Sequence, residues 1–123
     1  MIQFKDGFYA DVRTEDRSRT TVSYKDGVLE DMKTRVEKRA FLRVYDGKMW
    51  YYASVTDLSR LQETLDGLYS AAAPNAKILD DPVVRRFERN RDTIMNFADC
   101  SVRDVPLADK QALLLSYLPI LSE

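Results

Sequence analysis

The residues able to do chemistry are few, and none is a histidine. The chain has 123 residues, no His and a single Cys, Cys100. Without imidazole there is no Ser-His-Asp or Cys-His device, no His-ligated zinc site and no ordinary general base near neutral pH. Cys100 would need a lowered pKa and a base partner to act as a nucleophile. Its neighbours supply neither, so it reads as an inert thiol, buried or half-buried. One thiol also excludes an intrachain disulfide and a thiolate zinc cluster. Asp80 and Asp81 set two carboxylates side by side, but no third ligand lies near and calcium needs many oxygens. Asp81-Pro82 reads instead as a helix N-cap followed by a first-turn proline. Arg85, Arg86, Arg89 and Arg91 form the densest basic cluster, suited in type to phosphate or carboxylate. Asp80, Asp81, Glu88 and Asp92 offset it, which is the pattern of a solvated face.

The remaining candidates are aromatic. In Trp50-Tyr51-Tyr52 an extended backbone puts Trp50 and Tyr52 on one face and Tyr51 on the other. Two readings follow: one face lines a surface site or interface, or both faces pack in the interior. Tyr and Asp residues can supply an acid–base pair without His, but no spacing here singles one out.

Composition narrows the class further. Apolar residues make up 45% and charged residues 32%, as in a folded globular domain with one core. Nineteen Lys and Arg against twenty Asp and Glu leave a net charge of -1. That argues against direct nucleic-acid binding, which runs on excess positive charge. The four glycines are isolated, so no Gly-rich phosphate loop is present. The opening residues do not pattern as a signal peptide, and no apolar run reaches the ~20 residues of a membrane span. The expected location is cytoplasmic, with no membrane partner.

These side chains must be held by elements the pattern also predicts. Every glycine follows an Asp, at Gly7, Gly27, Gly47 and Gly67, and the spacing is 20 residues. Asp-Gly is the expected pair for a tight turn. Two strands and two turns fit in that period, so the first three pairs read as alternate turns of a meander, with the fourth inside a helix. Strand alternation appears at residues 8–14, 20–24, 28–32, 40–45 and 49–55. Leu58, Leu61, Leu65, Leu68 and Ala72 then take helical spacing, with Thr56 or Asp57 as the N-cap and Pro74 as the stop. A weakly amphipathic helix is expected over 82–96, and a loop or strand over 99–105. A last helix, 106–117, opens at Pro106 and ends at Pro119. The expected fold is α+β: a four- to five-stranded antiparallel meander over about 7–55, followed by two or three helices (57–73, 82–96, 106–117) packed on it. The apolar finish at Ile120-Leu121 suggests that the single domain, 1–123, belongs to a longer chain.

Four stretches carry a family resemblance: Tyr9–Arg13, Thr21–Glu30, Phe41–Leu58 and Asp104–Tyr117. The third, Phe41-Leu-Arg-Val-Tyr-Asp-Gly-Lys-Met-Trp-Tyr-Tyr-Ala-Ser-Val-Thr-Asp-Leu58, is the most specific. It has a strand, an Asp-Gly turn and an aromatic strand running into a helix. Together they resemble the N-terminal domain of the TldD/PmbA family, zinc metallopeptidases also called modulators of DNA gyrase. The sequence departs from that pattern at Arg39-Ala40-Phe41 and Tyr51, where the family has glycines, and over 75–96. The resemblance implies a non-catalytic N-terminal domain of an enzyme that degrades or processes unfolded peptides. The family's His-Glu-x-x-x-His motif lies downstream, so zinc is expected in a later domain and no cofactor in this chain. The implied partners are the rest of its own polypeptide, a homo- or heterodimeric mate and a peptide substrate, but not nucleic acid. The domain would then help to build the cleft wall or the dimer contacts. The candidate peptide or interface contacts are Trp50, Tyr52, Thr56 and Asp57; no catalytic or metal residue carries over. The alternative is a stand-alone protein- or peptide-binding module that shares only the fold.

Overall fold

The structure is a computed structural model that describes residues 1–121. Its architecture is α+β, with three antiparallel strands in the order β1-β2-β3. These are β1 (Tyr9–Lys25), β2 (Val28–Tyr45) and β3 (Trp50–Val55). Two α-helices follow, α1 (Leu61–Ala71) and α2 (Leu107–Leu121).

The expected four to five strands are three. The five alternating segments are real, but the first four merge in pairs into strands of 17 and 18 residues. Between Thr14 and Arg19, and again between Lys33 and Arg39, there is no Gly or Pro to break the ladder. The 20-residue glycine period therefore measures one long strand and one turn, not two of each. The turn assignment itself holds: Gly7, Gly27 and Gly47 all take positive φ, at 84°, 77° and 96°. Asp26 joins Gly27 in the left-handed region, as a two-residue type I′ hairpin turn demands.

The chain forms two compact units. The first comprises Met1–Asp16 and Glu37–Arg91. Its core lies between one sheet face and α1. Ala40, Leu42 and Val44 of β2 are buried there against Leu65 and Tyr69, with Phe8, Ala10, Val12, Tyr51 and Val55 packed around them. Leu42 and Leu65 have no exposed surface at all. Each such side chain contributes about 1.5–3 kcal/mol. The β2–β3 register pairs Leu42 with Ala53 and Val44 with Tyr51, so both strands turn the same alternation inward. The N-terminal residues run along α1, where Gln3 and Gln62 exchange hydrogen bonds of 2.8 and 3.2 Å.

The expected helix over 82–96 is a single 3-10 turn, Val84–Arg86. Its N-cap is Val83 rather than the expected Asp81, which lies two residues upstream and accepts from the Val83 N–H at 2.8 Å. The turn does not propagate because Glu88 to Thr93 contains no apolar residue. A helix there would have no face to bury.

The second unit comprises Arg17–Val36 and the described chain from Asp92 on. It holds the tip of the β1–β2 hairpin, where the Thr20 and Thr34 hydroxyls meet at 3.1 Å, and α2. Lys110 Nζ donates to Thr20 Oγ1 at 3.2 Å, and Gln111 Nε2 to the Tyr24 hydroxyl at 2.8 Å. Helix α2 does not end before Pro119 as expected; the proline lies inside its last turn. There it removes one hydrogen bond near the terminus rather than breaking the middle of a helix. No described residue of this unit is buried. None of the described helices is long and apolar enough to cross a membrane.

Candidate functional site

Strand alternation that buries Leu42 and Val44 on one face of the first unit's sheet presents Phe41, Arg43 and Tyr45 on the other. The register sets Tyr45 opposite Trp50 and Arg43 opposite Tyr52. Trp50 and Tyr52 thus share a face, as the spacing predicts, and Tyr51 points into the core cluster.

The rings on that face form a connected set. Trp50 stacks on Tyr45 at 4.6 Å and lies nearly parallel to Tyr52 at 6.3 Å. Tyr52 stacks on Phe41 at 5.9 Å. At the other side Tyr9 stacks on Phe87 at 4.8 Å and meets Trp50 edge-on at 5.8 Å. The Arg43 guanidinium sits 4.8 Å from the Trp50 ring centre and 5.3 Å from that of Phe87. Its Nε donates to Asp11 Oδ2 at 2.6 Å, and the Tyr9 hydroxyl donates to the same oxygen at 3.0 Å. Burial first, and then the bond to Asp11, push the Tyr9 phenol above its ordinary pKa, so it remains a donor at neutral pH.

The segment after α1 covers half of this face. Ile78 and Val84 are buried against Tyr45, with Tyr9 and Trp50 beside them. Phe41 and Tyr52 are left open, 42% and 57% exposed. Both aromatic readings therefore apply to different residues: Trp50 is half-buried under a cover, and Tyr52 is on the surface.

Thr56 and Asp57 are exposed and lie just past the end of β3. The Asp57 carboxylate accepts from the Ser59 hydroxyl at 2.6 Å and the Ser59 N–H at 3.0 Å. It caps the 3-10 turn Leu58–Arg60 that leads into α1, which settles the N-cap on Asp57. The Ser59 hydroxyl, followed by the Ser59 N–H, holds the Asp57 carboxyl below its usual range. Trp50 and Tyr52 are brought into ring contact, whereas Thr56 and Asp57 adjoin them only along the chain.

Four residues of consequence were not singled out by the sequence reading. Asp46 was visible only as the first half of a turn pair. Its buried carboxylate accepts from the Lys48 and Met49 N–H groups, both at 2.8 Å, and from the Tyr51 hydroxyl at 3.2 Å. Arg43 and Phe41 were legible as the outward half of the β2 alternation. Phe87 carried no local signal, since its partner Tyr9 is far away in sequence. Cys100 is exposed, not buried or half-buried as expected. It belongs to a stretch, 91–100, in which every residue is exposed. Arg85 faces Asp80 at 3.8 Å with both side chains in solvent, as a solvated cluster should.

The match that decides the family spans the strands and α1. The model described as PmbA/TldA metallopeptidase domain 1 matches residues 10–73, just over half of the chain. The chain belongs to this family. No curated protein and no solved structure matches it. The PmbA/TldA match ends at α1, so the cover over Trp50 and all of α2 lie outside it. The family is one of metallopeptidases, but the residues here do not fit a metal centre. The chain has no His. Among the described residues no three Cys, Asp or Glu side chains converge.

Proposed function

We propose that this chain is the non-catalytic N-terminal domain of a TldD/PmbA-like zinc metallopeptidase acting on unfolded peptides. It contributes cleft wall or dimer contacts to the whole enzyme, which works in the cytoplasm as a homo- or heterodimer, with zinc held by a later domain. The observation that carries this reading is the half-covered aromatic face within the family-matched region. Tyr52 and Phe41 offer open ring surface to a partner or a peptide, while Arg43 and Asp11 hold the neighbouring rings in place. Thr56 and Asp57, next along the chain, extend the candidate contact.

Three measurements test it. The reading frame beyond the codon for Glu123 is expected to continue and to encode His-Glu-x-x-x-His. A stop codon there overturns the peptidase-domain reading and leaves a stand-alone binding module. The purified chain is expected to take up no zinc and to cleave no unfolded protein. Stoichiometric zinc by mass spectrometry, or cleavage of denatured casein, overturns the non-catalytic assignment. Trp50 is the only tryptophan. Its emission is expected to change when the chain is mixed with its downstream domain or with unfolded peptide, and an unchanged spectrum with both removes the aromatic face as the contact.

A further inference from the structure

The second unit carries a feature that the family match does not explain. Helix α2 and the β1–β2 hairpin enclose an open groove of about 360 Å³. Val22, Val102, Leu113 and Tyr117 give it apolar walls, and Thr20 and Lys110 supply its polar groups. Binding grooves of this size, largely apolar with a few polar groups, are typical for small ligands and side chains.

Lys110 gives the groove its chemistry. The residue is half-buried, and the single hydrogen-bond partner of its ammonium among the described residues is the Thr20 hydroxyl, at 3.2 Å. A cation with only a neutral partner, set in an apolar lining, favours a carboxylate on an apolar body. A second feature favours a peptide over a lipid. β1 is an edge strand, with no strand on its outer side among the described residues. Thr20 and Val22 lie on it, and an edge strand is the place where an extended chain adds by main-chain pairing.

We propose that this groove binds the C-terminal residue of an extended peptide, with an apolar side chain between Val22 and Leu113 and the terminal carboxylate on Lys110. The site takes chain ends rather than internal sequence. It lies in the second unit and requires no contribution from the aromatic face of the first, so either site can fail without the other.

The test uses the full chain labelled with ¹⁵N and a short peptide ending in Leu-Leu. The peptide is supplied as the free acid and as the C-terminal amide, with decanoate as a third probe. The free acid is expected to bind about tenfold or more tighter than the amide, the usual weight of a charge-assisted hydrogen bond. Its shifts are expected at Val22, Val102, Lys110 and Leu113. Lys110→Met keeps the aliphatic stem and is expected to abolish the preference, and Lys110→Arg to restore most of it. Equal binding of acid and amide overturns the proposal, as does binding of neither. Decanoate binding without peptide binding overturns the peptide assignment in favour of a lipid acid. Shifts confined to Trp50 and Tyr52 overturn it in favour of the aromatic face.

Discussion

The Asp46 carboxylate, at the turn between β2 and β3, accepts a hydrogen bond of 3.3 Å from the Ala73 N–H, just past the end of α1. One side chain thereby joins the sheet's turn to the chain that leaves the helix. Asn75 reinforces the junction by donating from its side-chain amide to the Asp46 carbonyl at 3.3 Å. Gly47 is required there as well: its φ is 96°, and a Cβ would come within 2.6 Å of the Asn75 amide nitrogen.

Replacing Asp46 with Ala is expected to destabilise the first unit by about 2 kcal/mol, since buried donors lose their acceptor. The milder Asp46→Asn adds a pH signature. The Met49 N–H is the largest influence holding the Asp46 carboxyl below its ordinary value of 3.8, and the Lys48 N–H, Ala73 N–H and Tyr51 hydroxyl act in the same direction. A carboxyl whose pKa is lowered by folding stabilises the folded state above the unfolded pKa. It loses that contribution as pH falls through the folded pKa. Denaturant midpoints are expected to differ between wild type and Asp46→Asn at pH 7 and to converge below about pH 3.8. A difference that does not change with pH would show that the charge is not what matters.

Gly67 is the one glycine that its conformation does not need. It sits in α1 with no positive φ, and a Cβ there would meet nothing within 4 Å. Gly67→Ala is expected to raise stability by about 0.5–1 kcal/mol through helix propensity. A thermal melt reads this directly, and a lowered midpoint would mean that the α1 surface at Gly67 is occupied.

Leu65 and Tyr52 separate structural from functional weight. Leu65 is fully buried between α1 and the sheet, and Leu65→Ala is expected to cost about 2–5 kcal/mol. Tyr52 is on the surface, and Tyr52→Ser is expected to stay within about 1 kcal/mol of wild type in chemical denaturation. If the aromatic face is a contact, Tyr52→Ser weakens binding of the downstream domain or peptide while leaving the melt nearly unchanged. A large loss of stability would make Tyr52 a packing residue.

Much of this architecture is legible in the amino-acid sequence. The Asp-Gly pairs located three left-handed turn positions, because almost only Gly takes that backbone without strain. The alternation of Ala40, Leu42 and Val44 with Phe41, Arg43 and Tyr45 separated the core face from the aromatic one, because side chains alternate along any strand. The spacing of Leu61, Leu65 and Leu68 located α1 and its inward stripe. The lack of His removed a whole class of catalysis by itself.

What local pattern could not decide was anything set by distant partners. Alternation reads the same in two short strands as in one long one, so only pairing along the β1–β2 ribbon reduced the strand count to three. The stretch after Asp81 carried a cap-type residue but no continuing apolar face, and its Val84 and Phe87 found their places on Tyr45 and Tyr9 only in three dimensions. Cys100 reads by type as a buried or half-buried thiol, yet exposure depends on what packs nearby, and the stretch 91–100 around it is exposed throughout. Residue type and spacing determined the faces, turns and available chemistry of this domain; tertiary packing decided which aromatic rings are covered and which remain open to a partner.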